Sequence, residues 1–272
     1  MSETDEQLDL FSAAGIARGP YSPVLDRPEP ITPEALDDGA LVAAIPQAGI
    51  ADAAQLAAEA ARRRLPAAVP ALDQLCRRFT GFGLSHVVPE QVAALVALAE
   101  IGGAEAAQAV VGIIARGVVQ GPAVKIAVAA AAHLGASLPV NVVVPLLRHA
   151  DPSVRADACR CSRFRPEIVA ILTDLLHDLH RDVADQAACA LGRMGQTEAR
   201  SALLRLLRDA PTDDIIEAIT DIADEEAIVL LGRSARSGGS LAEAARSALA
   251  AIDHPQAARL LKTIASEAGA GC

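Results

Sequence analysis

This chain has almost no aromatic side chains. Its 272 residues include no Trp, one Tyr and four Phe, although 52% of them are hydrophobic. Most of the hydrophobic residues are Ala, Leu and Val, which are small or compatible with helices. The composition therefore favours closely packed helices, and it argues against an aromatic-rich catalytic cleft or a surface on which bases stack.

Cysteine pairs of the kind that bind zinc are also missing. The five cysteines are scattered, none belongs to a CxxC pair, and their odd number does not suggest a disulfide framework. Four of them lie in apolar helical context, where a free cysteine acts as a small hydrophobic residue. The acidic N-terminus lacks the basic start and apolar core of a secretory signal. We therefore predict no metal or other cofactor and a cytoplasmic location.

Basic charge is scarce at the start of the chain. Residues 1–60 contain two basic and eleven acidic residues, whereas residues 61–272 contain 22 basic and 23 acidic residues. The net charge of −10 therefore belongs mainly to the first 60 residues, and the rest of the chain is nearly neutral. Neither part has the basic footprint of a nucleic-acid-binding domain, so we predict no direct nucleic-acid partner.

One stretch is long enough to raise the possibility of a membrane span. Between Lys125 and Arg148 there are 22 residues without a formal charge, which is the length of a transmembrane helix. Gly135, Pro139 and Pro145 interrupt this stretch. Because such residues break helices, the pattern predicts two shorter helices and no membrane partner.

The sequence repeats itself with a period of about thirty residues. Each copy has an apolar residue that ends one helix, a short break, and a second amphipathic helix. These apolar anchors recur at spacings of 28 to 36 residues, as Leu65, Ile101, Leu134, Phe164, Met194, Ile222 and Ile252. The longest step includes the additional residues TGFGLSHV at 80–87.

One copy, DPSVRADACRCSRF followed by PEIVAILTDLL, shows how the unit works. Asp151 is suited to cap a helix, and Pro152 fits its first turn, where a missing N–H is tolerated. Val154, Ala158 and Cys161 follow at helical spacing and form one apolar face. A single hairpin cannot bury such a face alone, so the copies must stack on one another.

This copy and RDVADQAACALGRMGQTEARSALLRLL resemble the HEAT repeat, in the short form called HEAT-like or phycobilisome-lyase-type. The resemblance covers about residues 50–266 and is strongest at 151–210. It implies an all-α fold, namely an α-solenoid of about seven HEAT-like helical hairpins.

The chain divides into three predicted segments. Residues 1–31 read as a disordered acidic arm, because they combine acidic residues with Gly-Pro, Ser-Pro and PEP. Residues 32–267 form the solenoid, and its first helix is expected near 33–44 with Thr32 as the cap. Residues 268–272 are expected to be a frayed tail.

The resemblance also brings enzymes into consideration. Deoxyhypusine hydroxylase binds iron through His-Glu pairs, and this sequence has no His-Glu dipeptide. His177 and His180 could ligate a metal from one helical turn, but we favour a polar helix end that runs into a turn. A HEAT-like lyase or a DNA-repair glycosylase stays an alternative to the non-enzymatic interpretation.

Arginines are concentrated in the third and fourth full repeats, at Arg148, Arg155, Arg160, Arg163, Arg165 and Arg181. Such stripes on the concave surface of a solenoid can bind a protein partner, and we predict that role for Arg155, Arg160 and Arg163. The alternative is that they are solvated helix faces or pair with acidic residues of neighbouring repeats. The acidic segment TDDIIEAITDIADEE, at 212–226, allows both interpretations.

The acidic arm contains QLDLF, which resembles the pentapeptide that docks on the bacterial DNA polymerase sliding clamp. The resemblance implies that Gln7 hydrogen-bonds in a polar pocket and that Leu8 supports the entry. Asp9 would match the small polar middle position, and Leu10 and Phe11 would fill a hydrophobic cleft. The alternative is a short amphipathic helix that covers the exposed edge of the first repeat.

Together these patterns predict a non-catalytic, bacterial-type interaction scaffold. One protein partner would bind the solenoid surface, and the arm would bind a second one, which is the sliding clamp in our interpretation of QLDLF. The alternative without an enzyme activity is a structural or regulatory subunit of a larger complex.

Overall fold

The computed structural model describes residues 32–270, and within them the secondary structure is helical, without strands. Five short 3-10 turns precede or join the α-helices. The α-helices of this part of the chain are α1 Asp38–Ala44, α2 Ile50–Arg62, α3 Val69–Arg78, α4 Pro89–Ile101, α5 Gly103–Ala115, α6 Val124–His133, α7 Val140–Leu147, α8 Pro152–Arg160, α9 Pro166–Leu175, α10 Arg181–Arg193, α11 Arg200–Asp209, α12 Asp213–Thr220, α13 Glu225–Ser234, α14 Gly239–Ala251 and α15 Pro255–Ala270.

From α2 onwards the helices alternate between two layers. The even-numbered helices form one layer, in which each packs on the next from α2 to α14. The odd-numbered helices form the second layer, with contacts between α3 and α5, α7 and α9, α11 and α13, and α13 and α15. The fourteen helices from α2 to α15 therefore form seven consecutive pairs, and the predicted all-α solenoid is confirmed.

The hairpin of α8 and α9 forms for the reasons that its sequence indicates. The Asp151 side chain accepts a hydrogen bond from the backbone N–H of Ser153 at 2.8 Å, and Pro152 begins the helix. Val154, Ala158 and Cys161 are all buried. The predicted cap and the predicted apolar face of this repeat are therefore confirmed.

The uncharged stretch before Arg148 is divided as expected. Helix α6 ends at His133, and α7 begins at Val140 after a break that contains Gly135 and Pro139. None of the helices between residues 32 and 270 is long and apolar enough to cross a membrane.

Helices of the first layer approach most closely where α10 meets α12. Gly192 of α10 lies against the backbone of α12, and a Cβ added to it would fall well inside contact distance of the Ala218 carbonyl oxygen. Ala187, Ala188 and Ala190 are buried on the same helix. Small side chains therefore allow this close packing between the fifth and sixth hairpins.

Phe164 is not the anchor that the repeat pattern predicts. Its side chain is 52% exposed. Cys161 occupies the C-cap position after α8, as Leu134 does after α6 and Met194 does after α10. The register of this repeat is therefore three residues earlier than the sequence alignment indicates.

The first helix also begins later than expected. Pro33–Ala35 forms a 3-10 turn, and α1 starts only after Asp37, whose side chain accepts a hydrogen bond from the backbone N–H of Ala40 at 2.8 Å. Asp37 and not Thr32 is the cap of α1. At the other end, α15 continues to Ala270, through three residues that the sequence assigns to a frayed tail.

An ion-pair cluster attaches this first segment to the solenoid. Arg63 donates hydrogen bonds to the carboxylates of Asp38 and Glu59, and to the carbonyl of Leu36. Hydrogen bonds from Arg62 and Arg63 lower the pKa of Glu59 to about 2. Helix α1 and the turn before it are therefore held against the end of α2.

Candidate interaction groove

A cavity among the described residues forms a groove between α7 and α9, neighbouring helices of the second layer. Its volume is about 830 Å³. We call it the α7–α9 groove and define it by its lining residues, which are Val140, Asn141, Val144, Pro145, Arg148, Glu167, Ala170, Ile171 and Asp174.

The middle of the α7–α9 groove is apolar. Val144 of α7 and Ala170 and Ile171 of α9 line it, and of these only Ile171 is almost fully buried. Pro145 has no N–H, so it cannot donate the backbone hydrogen bond that the Asn141 carbonyl would receive in an uninterrupted helix. The Asn141 carbonyl therefore lacks this intrahelical donor, beside the apolar middle of the groove.

One end of the groove continues into a second cavity of about 440 Å³. The two cavities share Arg148, Ile171 and Asp174. Arg148 is exposed here and contributes a positive charge, whereas Asp174 contributes a negative charge. A ligand at this end would therefore meet both signs of charge.

An ion pair forms the base of that second cavity. Arg155 donates hydrogen bonds of 2.9 and 3.0 Å to the two carboxylate oxygens of Asp178, and both side chains are largely buried. Arg155 also donates to the carbonyls of His149 and Ala150. The hydrogen bonds from Arg155 hold the pKa of Asp178 below its usual range. The pair therefore joins the α7–α8 loop to the α9–α10 loop.

The opposite end of the groove lies near an arginine-rich turn of the chain. Both helices begin there, and the turn at 161–165 leads directly into α9. Arg163, Phe164 and Arg165 are exposed in this turn, and Arg160 is exposed at the end of α8. Arg160 lies 4.0 Å from Asp157. The end of α8 and this turn, with three arginines and one exposed aromatic ring, precede Glu167, the charged residue that lines the groove at this end, and we call them the basic mouth.

The three arginines predicted to bind a partner do not form one surface. Arg160 and Arg163 belong to the basic mouth, whereas Arg155 lies at the other end of α8 with its guanidinium engaged by Asp178. Arg155 therefore acts as an internal brace in this structure. Partner binding by these residues stays a prediction, and Gln7, Leu8, Asp9, Leu10 and Phe11 lie outside the described residues.

Other chemical features of the sequence have structural explanations. Helix α9 ends at Leu175 and His180 is the N-cap of α10, so the HDLH motif is a polar turn as favoured above. Within the described part of the chain, no group of three or more His, Cys, Asp or Glu side chains is arranged to hold a metal ion. Cys159 and Cys161 are buried, and burial raises the pKa of each thiol to about 12.

The acidic segment at 212–226 is partly neutralised by the preceding helix. Arg208 pairs with Glu226, and Arg200 lies 3.8 Å from Asp224. Pairing between neighbouring repeats, one of the alternatives for these charges, is therefore confirmed for these residues.

The α7–α9 groove lies within a segment whose sequence resembles a known family. Residues 138–223 match the family model for HEAT repeats. This segment is therefore similar to HEAT repeats, and we call it the HEAT-repeat segment. It contains both groove helices, the basic mouth and the Arg155–Asp178 pair. No curated protein matches the chain.

Sequence reasoning identified the basic mouth in part but missed the groove itself. The motif VNVVVPLL at 140–147 has apolar residues on more of its circumference than one buried stripe requires. Val140 and Val144 are the surplus residues, because both lie in the groove and remain partly exposed. This surplus was the available signal for a binding surface on α7.

Proposed function

We propose that this chain is a non-catalytic interaction scaffold whose α7–α9 groove binds a short segment of a protein partner. The observation that supports the proposal is the groove, with its apolar middle and its charged ends, inside the HEAT-repeat segment. Repeat solenoids commonly use such extended surfaces for protein binding. The four buried free cysteines among the described residues suit the reducing cytoplasm in which we place the protein.

The dimensions of the groove suit a peptide. Helix α7 has eight residues and α9 has ten, so the groove is about 12–15 Å long. That length accommodates about four extended residues or two to three turns of a helix. A single segment of a partner would therefore fill it.

The arginines of the basic mouth favour one direction for that segment. Acidic residues of the partner would pair with Arg160 and Arg163 at the basic mouth, its apolar residues would contact Val144 and Ile171, and its backbone N–H groups would face the Asn141 carbonyl. We therefore expect an amphipathic segment with acidic residues at one end.

The proposal predicts that Ala170→Glu weakens partner binding at least tenfold. Ala170 is exposed in the middle of the groove, so a glutamate there fills the apolar space without disturbing the core. A partner is first trapped with a photo-activatable amino acid at Ala170, then purified and titrated against wild-type chain and variant by calorimetry.

Ala258→Glu is the matched control, because Ala258 is exposed on α15, outside the HEAT-repeat segment. Equal loss of affinity in both variants, or no loss in Ala170→Glu, would contradict binding in the groove.

We propose further that residues 7–11 dock on the bacterial sliding clamp. The support is the resemblance of QLDLF to the clamp-binding pentapeptide, with Leu10 and Phe11 as the apolar anchors. We expect purified clamp to bind the full chain with a dissociation constant of about micromolar, and the Leu10→Ala/Phe11→Ala variant to lose this binding.

The control for clamp docking is Ser2→Ala/Glu3→Ala, which changes the arm outside the pentapeptide. Surface plasmon resonance measures the binding of the wild type and both variants to immobilised clamp. Binding that survives in the Leu10→Ala/Phe11→Ala variant would show that the pentapeptide is not the docking element, and the scaffold proposal for the groove would be unaffected.

A further inference from the structure

A second apolar surface lies outside the HEAT-repeat segment, in the loop at 79–88 between α3 and α4. Phe82 is 65% exposed, Leu84 is 69% exposed and Val87 is 45% exposed. The loop has no Asp, Glu, Lys or Arg. Three large apolar side chains in contact with water on one loop are characteristic of a binding surface. We call this surface the Phe82 patch.

Hydrogen bonds from a buried side chain fix the loop that carries the Phe82 patch. Gln91 is fully buried, and its side-chain amide nitrogen donates hydrogen bonds to the carbonyls of Cys76 and Phe79 at the start of the loop, at 3.1 and 3.3 Å. It also donates at 3.2 Å to the carbonyl of Val118, in the loop between α5 and α6. The patch is therefore tied to two neighbouring repeats.

Backbone packing holds the middle of the loop as well. Gly121 has a φ of +57°, and a Cβ at this position would fall inside contact distance of the Gly83 carbonyl oxygen and 2.5 Å from that of Leu84. The Phe79 and Phe82 rings meet edge to face, with centroids 6.4 Å apart. Since the loop is packed in this way, its backbone has little conformational freedom left to lose on binding.

Arginines precede the loop that carries the Phe82 patch in the sequence, and Glu90 follows it in the first turn of α4. Arg77 and Arg116 both pair with Asp73, so these three residues together carry a net single positive charge. Arg78 hydrogen-bonds to the carbonyls of Pro46 and Ala48, which carry no formal charge. Its guanidinium also lies 5.2 Å from the centre of the Phe79 ring. A surface that joins apolar residues to uncompensated arginine charge fits a ligand with apolar and acidic groups.

We infer that the Phe82 patch is a docking site for a partner protein whose binding segment combines large apolar residues with aspartate or glutamate. This site is separate from the α7–α9 groove, because it lies on α3, α4 and their loop, before the HEAT-repeat segment begins. The scaffold would then hold two partners, one on each surface.

The charge distribution argues against two other occupants. A two-fold contact between copies of this chain would bring the uncompensated arginine charge of both copies together, which repels. Nucleic acid is disfavoured because Leu84 and Val87 cannot stack on bases and because Asp73 neutralises half of the charge on Arg77 and Arg116. An acidic and apolar protein segment satisfies both parts of the patch.

The experiment selects ligands from a phage-displayed library of short random peptides on the immobilised full-length chain. Phage that also bind the Phe82→Ser/Leu84→Ser variant are removed in each round. Both side chains are exposed, so the variant is expected to fold, and its circular dichroism and melting temperature are compared with those of the wild type. We expect the retained peptides to be enriched in Asp and Glu beside Phe, Leu, Ile or Trp.

Synthetic versions of the retained peptides are then titrated by fluorescence anisotropy. We expect at least tenfold weaker binding to the Phe82→Ser/Leu84→Ser variant and to Arg78→Glu, and unchanged binding to Leu179→Ser. Leu179 is the matched control, because it is 99% exposed on a different loop, between α9 and α10.

Three results would overturn the inference. The selection could retain no peptide that depends on Phe82 and Leu84, or only basic or uncharged peptides. Sedimentation could show a dimer of the wild type that the Phe82→Ser/Leu84→Ser variant does not form, which would identify a second copy as the occupant. Single-stranded DNA or RNA could bind the wild type and not the variant, which would identify nucleic acid.

Discussion

Gly192→Ala is expected to lower the free energy of unfolding by about 3 kcal/mol, although the same substitution inside most helices is stabilising. The added Cβ would fall inside contact distance of the Ala218 carbonyl oxygen and 2.6 Å from the Leu203 side chain. The backbone oxygen cannot rotate away as a flexible side chain can. Helices α10 and α12 must therefore separate, and the packing between the fifth and sixth hairpins is lost over a wider area.

The position of Gly192 also predicts how the chain unfolds. In a repeat array, stability depends on contacts between neighbouring units, so a weakened α10–α12 contact uncouples the units on either side. We expect urea unfolding of the variant to become biphasic, with faster amide hydrogen exchange in α12 to α15. Circular dichroism and hydrogen exchange detected by mass spectrometry measure the two effects.

Gly112→Ala is the matched control for Gly192→Ala. A Cβ on Gly112 of α5 would meet only the guanidinium end of Arg116, at 2.9 Å, and that group can move. We expect this variant to be as stable as the wild type or more stable by about 0.5–1 kcal/mol. A Gly192→Ala variant that matches it would show that α10 and α12 are not in the close contact described.

Arg155→Ala is also expected to lower the free energy of unfolding by about 3 kcal/mol, because it leaves the Asp178 carboxylate largely buried without its partner. The substitution also removes hydrogen bonds to the carbonyls of His149 and Ala150. A double-mutant cycle with Asp178→Asn, measured by urea unfolding, gives the coupling free energy of Arg155 and Asp178 separately from the contribution of these additional hydrogen bonds.

The effect of Arg155→Ala should depend on pH in a defined direction. The pKa of Asp178 is lowered in the folded chain, so the ion pair stabilises the fold above the unfolded pKa of about 4. That stabilisation is lost as the pH falls through the lowered pKa. We therefore expect the difference between wild type and Arg155→Ala to be largest near neutral pH and to shrink in acid.

Arg208→Ala is the control for a pair that is not buried. Arg208 and Glu226 are about half exposed, at 50% and 54%, and pairs of this kind contribute about 1 kcal/mol or less. Equal losses of stability in Arg155→Ala and Arg208→Ala would contradict the role of Arg155 as an internal brace at the base of the second cavity.

Several elements of the fold were predictable because their signals are local. The division of 126–147 into α6 and α7 follows from breakers within the stretch, and the start of α8 follows from Asp151 and Pro152. The number of hairpins follows from the repeat period. The position of Phe164 was not predictable in the same way, because an apolar residue in a turn suits either a buried anchor or an exposed contact.

The candidate sites were less predictable than the fold. The arginine cluster lies in the repeat that contains the groove helix α9, but three of its members have different surroundings. Arg155 is engaged by a residue 23 positions later, whereas Arg160 and Arg163 face solvent. The extra residues at 80–87 were visible as an insertion, and only the structure shows that Phe82 and Leu84 remain exposed there.

The sequence by itself determined the helical class, the repeat, the helix boundaries set by caps and breakers, and the concentration of acidic charge in residues 1–60. These properties depend on neighbouring residues and on composition. Only the tertiary structure decided that Gly192 lies against α12, that Arg155 reaches Asp178, and that α7 and α9 leave a groove between them. These features depend on the angles and distances at which successive helices pack, which bring together residues that are far apart in the chain.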